Sequence, residues 1–213
     1  MIHDPEVALT DYALAVETAV FAVLLWRQRP ARTARRVAAL IFACLCASSV
    51  TGGSYHGFFP GGAEGPGGGW AVWIATMLVV GVAASLAWIF FFLLLGGARG
   101  LRIVVAAVTA AFLAYAYVVV RIDHSFRVSA IASAAPVLAL LVVMLVRAVR
   151  DGHRNAMLAS AAILLMLAAA VLQQLHVGLH PVWFNHNALY HLLEGIALAV
   201  LFVALRAARS EAL

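Results

Sequence analysis

The chain has 213 residues, of which 65% are hydrophobic and only 11% are charged, and its mean hydropathy is +1.02. This composition excludes a water-soluble globular domain. All 14 basic residues are arginine, which excludes a retinal protein because the chain has no lysine to form the Schiff base.

Apolar runs of membrane-spanning length predict an all-α integral membrane protein. A hydrocarbon core about 30 Å thick requires about 20 mostly apolar residues per helix. We expect one seven-transmembrane domain covering 1–213. Its predicted spans are, in chain order, 7–26, 37–59, 70–95, 103–120, 128–146, 157–179 and 188–205.

The arginines predict how the chain is oriented in the membrane. Twelve of the 14 follow spans one, three, five and seven, whereas only Arg121 and Arg127 lie on the other side. Because positive charge is retained in the cytoplasm, the N-terminus is expected outside and the C-terminus in the cytoplasm. The net charge of +5 therefore reflects topology and indicates no nucleic-acid partner. The predicted location is a bacterial inner (plasma) membrane.

Ionisable residues within the spans collect near their predicted outer ends. Such residues are costly in hydrocarbon and usually mark a functional path or site. In chain order they are Asp11 and Glu17 in span one, His56 in span two, His176 and His180 at the end of span six, His186 just before span seven, and His191 and Glu194 within span seven. We therefore expect a functional site beneath the outer surface.

Histidines in this set predict a metal site. Imidazole is the commonest metal ligand, and two or three imidazoles in a dry pocket suit zinc. His56 and His191 are the predicted core of this site. His186 is the predicted third ligand, with His180 as an alternative. Asn187, His191 and Glu194 are spaced by four and three residues and therefore share a helix face.

Two carboxylates are candidates for moving protons in this site. Glu194 is the first choice because it shares a face with His191. Asp11 is the second, since it lies at a similar depth on span one. General acid–base chemistry requires such a group within reach of the reacting atoms.

At these positions the sequence resembles the CREST superfamily, seven-span membrane proteins that include alkaline ceramidases and the adiponectin and progestin receptors. The segment Gly52-Gly53-Ser54-Tyr55-His56 is similar to the end of its Ser-x-x-aromatic-His motif. The segment from Asn187 to Gly195 resembles the ceramidase His-Ala-Leu-Trp-His stretch followed by glycine. The resemblance implies three zinc-binding histidines, and it carries over to His56 and His191.

The chain also departs from the superfamily pattern. Gly52 replaces the motif serine, Asn187 replaces the first histidine of span seven, and span three contains no carboxylate. The missing aspartate would have to be replaced by Glu194, Asp11, Glu17 or Asp123.

Two functions follow from these patterns. The first is a zinc-dependent membrane hydrolase that cleaves an amide or ester bond of a lipid, with Asp11 or Glu194 handling the proton. The alternative is a non-catalytic seven-span receptor or lipid-binding protein, in which the polar residues form a network or a structural metal site. Both imply a lipid partner, and the sequence specifies no oligomeric state.

Overall fold

The computed structural model describes residues 2–59, 68–96 and 100–207, and every regular element in these ranges is an α-helix. Arg99 and Arg209, used above for orientation, lie outside the described residues. The helices are α1 Pro5–Arg27, α2 Thr33–Phe58, α3 Gly69–Gly96, α4 Leu101–Arg121, α5 Phe126–Asp151, α6 Arg154–Gln174 and α7 His186–Ala207. All seven of these described helices are long and apolar enough to cross a membrane, as predicted. A helix suits this setting because it satisfies its own backbone hydrogen bonds.

The sixth span ends earlier than predicted. We expected it to reach residue 179, but α6 ends at Gln174 and a non-helical connection follows. His176 has a positive φ of 56°, and Pro181 cannot continue a helix. The backbone amides of Leu179 and His180 both donate to the Phe184 carbonyl, at 3.0 Å. The connection is thus a compact turn.

Asn185 fixes the start of α7 and joins it to α1. Its side-chain oxygen accepts hydrogen bonds from the backbone amides of Asn187 (2.9 Å) and Ala188 (3.1 Å), as an N-cap residue does. Its amide group donates to the Glu6 carboxylate at 2.8 Å. The first turns of α1 and α7 are therefore held side by side.

Six of the described helices close into a ring in the order α1, α2, α3, α5, α6 and α7, with α7 returning to α1. Helix α4 lies outside this ring and packs mainly on α3. The starts of the odd-numbered helices meet the ends of α2, α4 and α6 at one end of the bundle. This end carries seven of the eight histidines, and we call it the histidine-rich end. The opposite end is the arginine-rich end.

Glycines allow α1 and α2 to approach closely at the histidine-rich end. Gly52, Gly53 and Gly57 are buried, and a Cβ added to Gly53 would lie 2.9 Å from Asp11 Cβ and 3.2 Å from the Ala8 carbonyl oxygen. Small residues four apart are a common means of close packing between membrane helices. The close approach brings Asp11 against the backbone of α2.

An aromatic group fills the bundle deeper than Asp11 and His191. Phe21 stacks on Phe202 with ring centroids 4.2 Å apart and meets Phe42 edge-on at 5.5 Å. These rings belong to the main apolar core, which continues to Leu25 and Leu205. The core therefore closes the bundle between the histidine-rich end and the arginine-rich end.

Candidate functional site

An aspartate on α1 and a histidine on α7 form a buried pair. The Oδ1 atom of Asp11 lies 3.5 Å from Nε2 of His191, and their side chains are 7% and 12% exposed. At a rise of about 1.5 Å per residue, both residues lie about 8–9 Å from the starts of their helices. An ion pair or shared proton at this depth is expensive to desolvate, so the pair marks a functional-site candidate.

Thr10 contacts the other nitrogen of the same imidazole. Its hydroxyl oxygen lies 3.1 Å from Nδ1 of His191. It also lies 2.9 Å from each of the backbone carbonyl oxygens of Glu6 and Val7, to which it can donate. Both ring nitrogens of His191 therefore have partners on α1, which fixes the plane of the ring.

Two more carboxyl groups surround the pair. Glu194, one turn after His191, lies within electrostatic range of Asp11 and is a hydrogen-bond partner of Tyr190. Glu17 lies against α7, because a Cβ added to Gly195 would be 2.9 Å from its Oε2 atom. The facing sides of α1 and α7 thus carry three carboxyl groups, of which Asp11 contacts the His191 imidazole. We call Thr10, Asp11, His191 and Glu194 the acid–imidazole cluster.

His56 lies near this cluster, but its side chain faces Asp4 in the segment before α1. Its Nδ1 atom is 3.8 Å from Oδ2 of Asp4, and Asp4 also contacts His3 through Oδ1 at 3.1 Å. The backbone amide of Asp4 donates to the His56 carbonyl at 3.3 Å. His56 is within electrostatic range of His191. The segment before α1 therefore covers the end of α2.

His186 lies in a third environment. Its ring is beside that of His176, with centroids 4.6 Å apart. His180 accepts hydrogen bonds at Nδ1 from the backbone amides of Val182 (3.2 Å) and Trp183 (3.0 Å). Both histidines therefore belong to the connection between α6 and α7.

The residues predicted to bind zinc are not arranged as a zinc site. A structural zinc site has four protein ligands and a catalytic site usually three. Within 2–59, 68–96 and 100–207, no group of three or more His, Cys, Asp or Glu side chains is placed to hold a metal ion. His56, His186 and His191 instead contact Asp4, His176 and Asp11, respectively. Zinc binding stays a prediction of the motifs.

The structure brings together part of the predicted site and adds residues that the sequence did not single out. Asp11, His191 and Glu194 are neighbours. Thr10 and Asp4 had no predicted role. Thr10 was detectable as a polar residue one position before Asp11 in an apolar span, but threonine commonly bonds to its own helix backbone and gives no distinct signal.

The described helices define an all-helical protein with the composition of a multi-pass membrane protein, and the acid–imidazole cluster lies near one end of its bundle. The chain belongs to DUF6962, a family of unknown function, whose profile matches residues 7–210. No curated protein and no solved structure matches the chain.

Proposed function

We propose that the protein is a multi-pass membrane hydrolase that cleaves an amide or ester bond of a lipid, and that the acid–imidazole cluster exchanges the protons. The observation that carries this proposal is the buried Asp11–His191 contact at 3.5 Å. The contact lies about 8–9 Å below the helix starts, within two helices that are long and apolar enough to span a membrane. The arginine distribution supports a site facing the outer leaflet of a bacterial inner membrane, with the N-terminus outside.

The cluster contains the groups that such a reaction needs. Hydrolysis removes a proton from the attacking water and delivers one to the leaving group. Asp11 and Glu194 are two carboxyl groups in different surroundings, since Asp11 faces an imidazole and Glu194 faces a phenol. Different surroundings are what separate an acid from a base among chemically similar groups. His191 links the two carboxyl-bearing helices.

One observation favours the alternative of lipid binding without turnover. Both ring nitrogens of His191 already have protein partners, Thr10 and Asp11. A histidine held in this way offers no free nitrogen to a substrate or to water unless a partner moves. The same contacts would serve a stable polar network around which a lipid headgroup binds.

The proposal is tested with purified protein in vesicles that contain an amide-linked and an ester-linked lipid. We expect fatty-acid release, measured by mass spectrometry, to fall at least about 100-fold in Asp11→Asn and in His191→Gln, the scale of losing an acid–base group. Asp123→Asn is the matched control, because this other candidate carboxylate lies in the α4–α5 loop at the same end, where it contacts Ser125 and Arg127 and not the acid–imidazole cluster. There, hydrogen bonds from the side chain and backbone of Ser125 lower the pKa of Asp123.

Two outcomes would overturn the hydrolase proposal. One is no release by the unmodified protein. The other is full release by Asp11→Asn. Stoichiometric lipid binding without release would establish the binding role instead. Elemental analysis of the same preparations tests zinc, which requires about one metal ion per chain that is lost in His56→Ala.

A further inference from the structure

The direction of one hydroxyl hydrogen bond determines the protonation of the Asp11–His191 pair. A threonine hydroxyl has a single proton to donate but can accept further hydrogen bonds. Thr10 is 2.9 Å from two carbonyl oxygens, which can only accept, and 3.1 Å from Nδ1 of His191, which can donate or accept. The question is therefore where the Thr10 proton points.

Two other threonines show the usual arrangement in these helices. Thr18, also on α1, lies 2.7 Å from the Leu14 carbonyl and 3.2 Å from the Ala15 carbonyl, at the same spacing in sequence as Thr10 and its carbonyls. Thr51 on α2 repeats the pattern at 3.0 and 3.1 Å. Neither of these hydroxyls is bonded to a histidine. Donation to the backbone of its own helix is thus the usual hydrogen bond of these helical threonines.

If Thr10 donates to the backbone, His191 must donate to Thr10. The Nδ1 atom of His191 then carries a proton. A neutral imidazole has only one N–H, so its Nε2 is an acceptor that faces Oδ1 of Asp11. Two bare acceptors would repel each other in this buried position. A single proton held between Nε2 and Oδ1, whether it rests on the carboxyl group or on the imidazole, removes this repulsion.

We propose that Thr10 is a positioning residue: by accepting from Nδ1–H of His191 it directs Nε2 at Asp11, so that the pair holds one shared proton. Thr10 touches no reacting atom in this role. It acts through the tautomer and orientation of His191. The consequence for turnover rests on the proposed hydrolase function, whereas the tautomer itself does not.

The tautomer is measured by ¹⁵N NMR of protein labelled at histidine, in which protonated and bare ring nitrogens have well-separated shifts. The His191 signals are identified by their loss in His191→Gln. We expect Nδ1 to be protonated in the unmodified protein. In Thr10→Val the Nδ1 proton should be lost to solvent while the shared proton stays on Nε2 and is donated to the Asp11 carboxylate, which leaves Nδ1 bare.

Three variants serve as controls. Thr10→Ser keeps the hydroxyl and should keep the original tautomer. Thr18→Val removes a hydroxyl with the same backbone bonds and should leave His191 unchanged. Thr10→Ala repeats the deletion without a branched side chain, in case valine impairs folding. A bare Nδ1 in the unmodified protein, or an unchanged tautomer in both Thr10→Val and Thr10→Ala, would overturn the proposal.

Turnover provides a separate measurement. We expect lipid release by Thr10→Val to fall about tenfold, the equivalent of one neutral hydrogen bond, and to recover in Thr10→Ser. If neither the unmodified protein nor any variant releases fatty acid, the hydrolase proposal is wrong. The tautomer measurement still decides the role of Thr10 in that case. If release falls while the tautomer is unchanged, the positioning role fails and the hydrolase function survives.

Discussion

Gly53 sets the distance between α1 and α2 beside Asp11. Because Gly53 has no side chain, the Ala8 carbonyl oxygen can approach it closely, and this backbone group cannot rotate away. Gly57, one turn later, has more room, because its added Cβ would be 3.4 Å from Ala8 Cβ. The two glycines lie on one face of α2 but differ in the space around them, so the same substitution at each can be compared.

We expect Gly53→Ala to destabilise the protein by about 1–3 kcal/mol, because the added methyl group forces α1 and α2 apart. Gly57→Ala should be neutral or slightly stabilising, because alanine is favoured over glycine within a helix by about 0.5–1 kcal/mol. Thermal unfolding in one detergent compares the two variants. Equal melting temperatures would contradict the packing described for Gly53.

The sequence predicts the composition of the site better than its contacts. Hydropathy and charge place Asp11, His191 and Glu194 near one end, and helical spacing puts two of them on one face of α7. Their partners depend on how each helix rotates about its own axis and on which helices are neighbours. Local sequence does not determine either quantity. For this reason the pairing of His191 with Asp11, and of His56 with Asp4, was not predicted.

Among the described residues, Tyr115 forms the hydrogen bonds that join helix α4 to the ring. The Tyr115 hydroxyl donates to the Met77 carbonyl on α3 at 2.7 Å and lies 2.6 Å from the Ser129 hydroxyl on α5. Its ring fits over Gly81, where an added Cβ would be 2.2 Å from a ring carbon. Val119 is the one buried residue of this helix among those described. The extent of α4 was predictable from hydropathy, but its peripheral place was not, since all seven predicted spans are similarly apolar.

We expect Tyr115→Phe to lower the free energy of unfolding by about 1 kcal/mol, through loss of buried hydrogen bonds. This corresponds to a fall of about 2–4 °C in melting temperature for a chain of this size. Tyr117→Phe on the same helix is the control, because Tyr117 is 63% exposed. A larger effect at Tyr117 than at Tyr115 would show that α4 is attached differently.

The two ends of the bundle carry different residues: seven of the eight histidines lie at one end, and most of the arginines lie at the other. Hydropathy was sufficient to predict the number and order of the described helices, because bilayer thickness fixes the length of a span. The orientation of the bundle in the membrane follows from a different signal, the arginine bias. It stays a prediction that the helix geometry alone does not test.

Cysteine labelling in intact cells tests this orientation. In a Cys44→Ala, Cys46→Ala background, Asp123→Cys in the α4–α5 loop should react with a membrane-impermeant thiol reagent. His153→Cys, between α5 and α6, should react only after the cells are permeabilised. The reverse pattern would place the acid–imidazole cluster on the cytoplasmic side.

The stacked phenylalanines lie deeper in the bundle than the acid–imidazole cluster, on the side of the arginine-rich end. Phe21, Phe42 and Phe202 lie 10, 10 and 11 residues deeper along their helices than Asp11, Gly52 and His191, respectively, or about 15 Å. Interiors packed in this way have few voids that admit water. These apolar side chains separate the acid–imidazole cluster from the arginine-rich end of the described bundle. We therefore expect protons to exchange with the cluster through the histidine-rich end, because a proton from the arginine-rich end would have to cross this apolar layer.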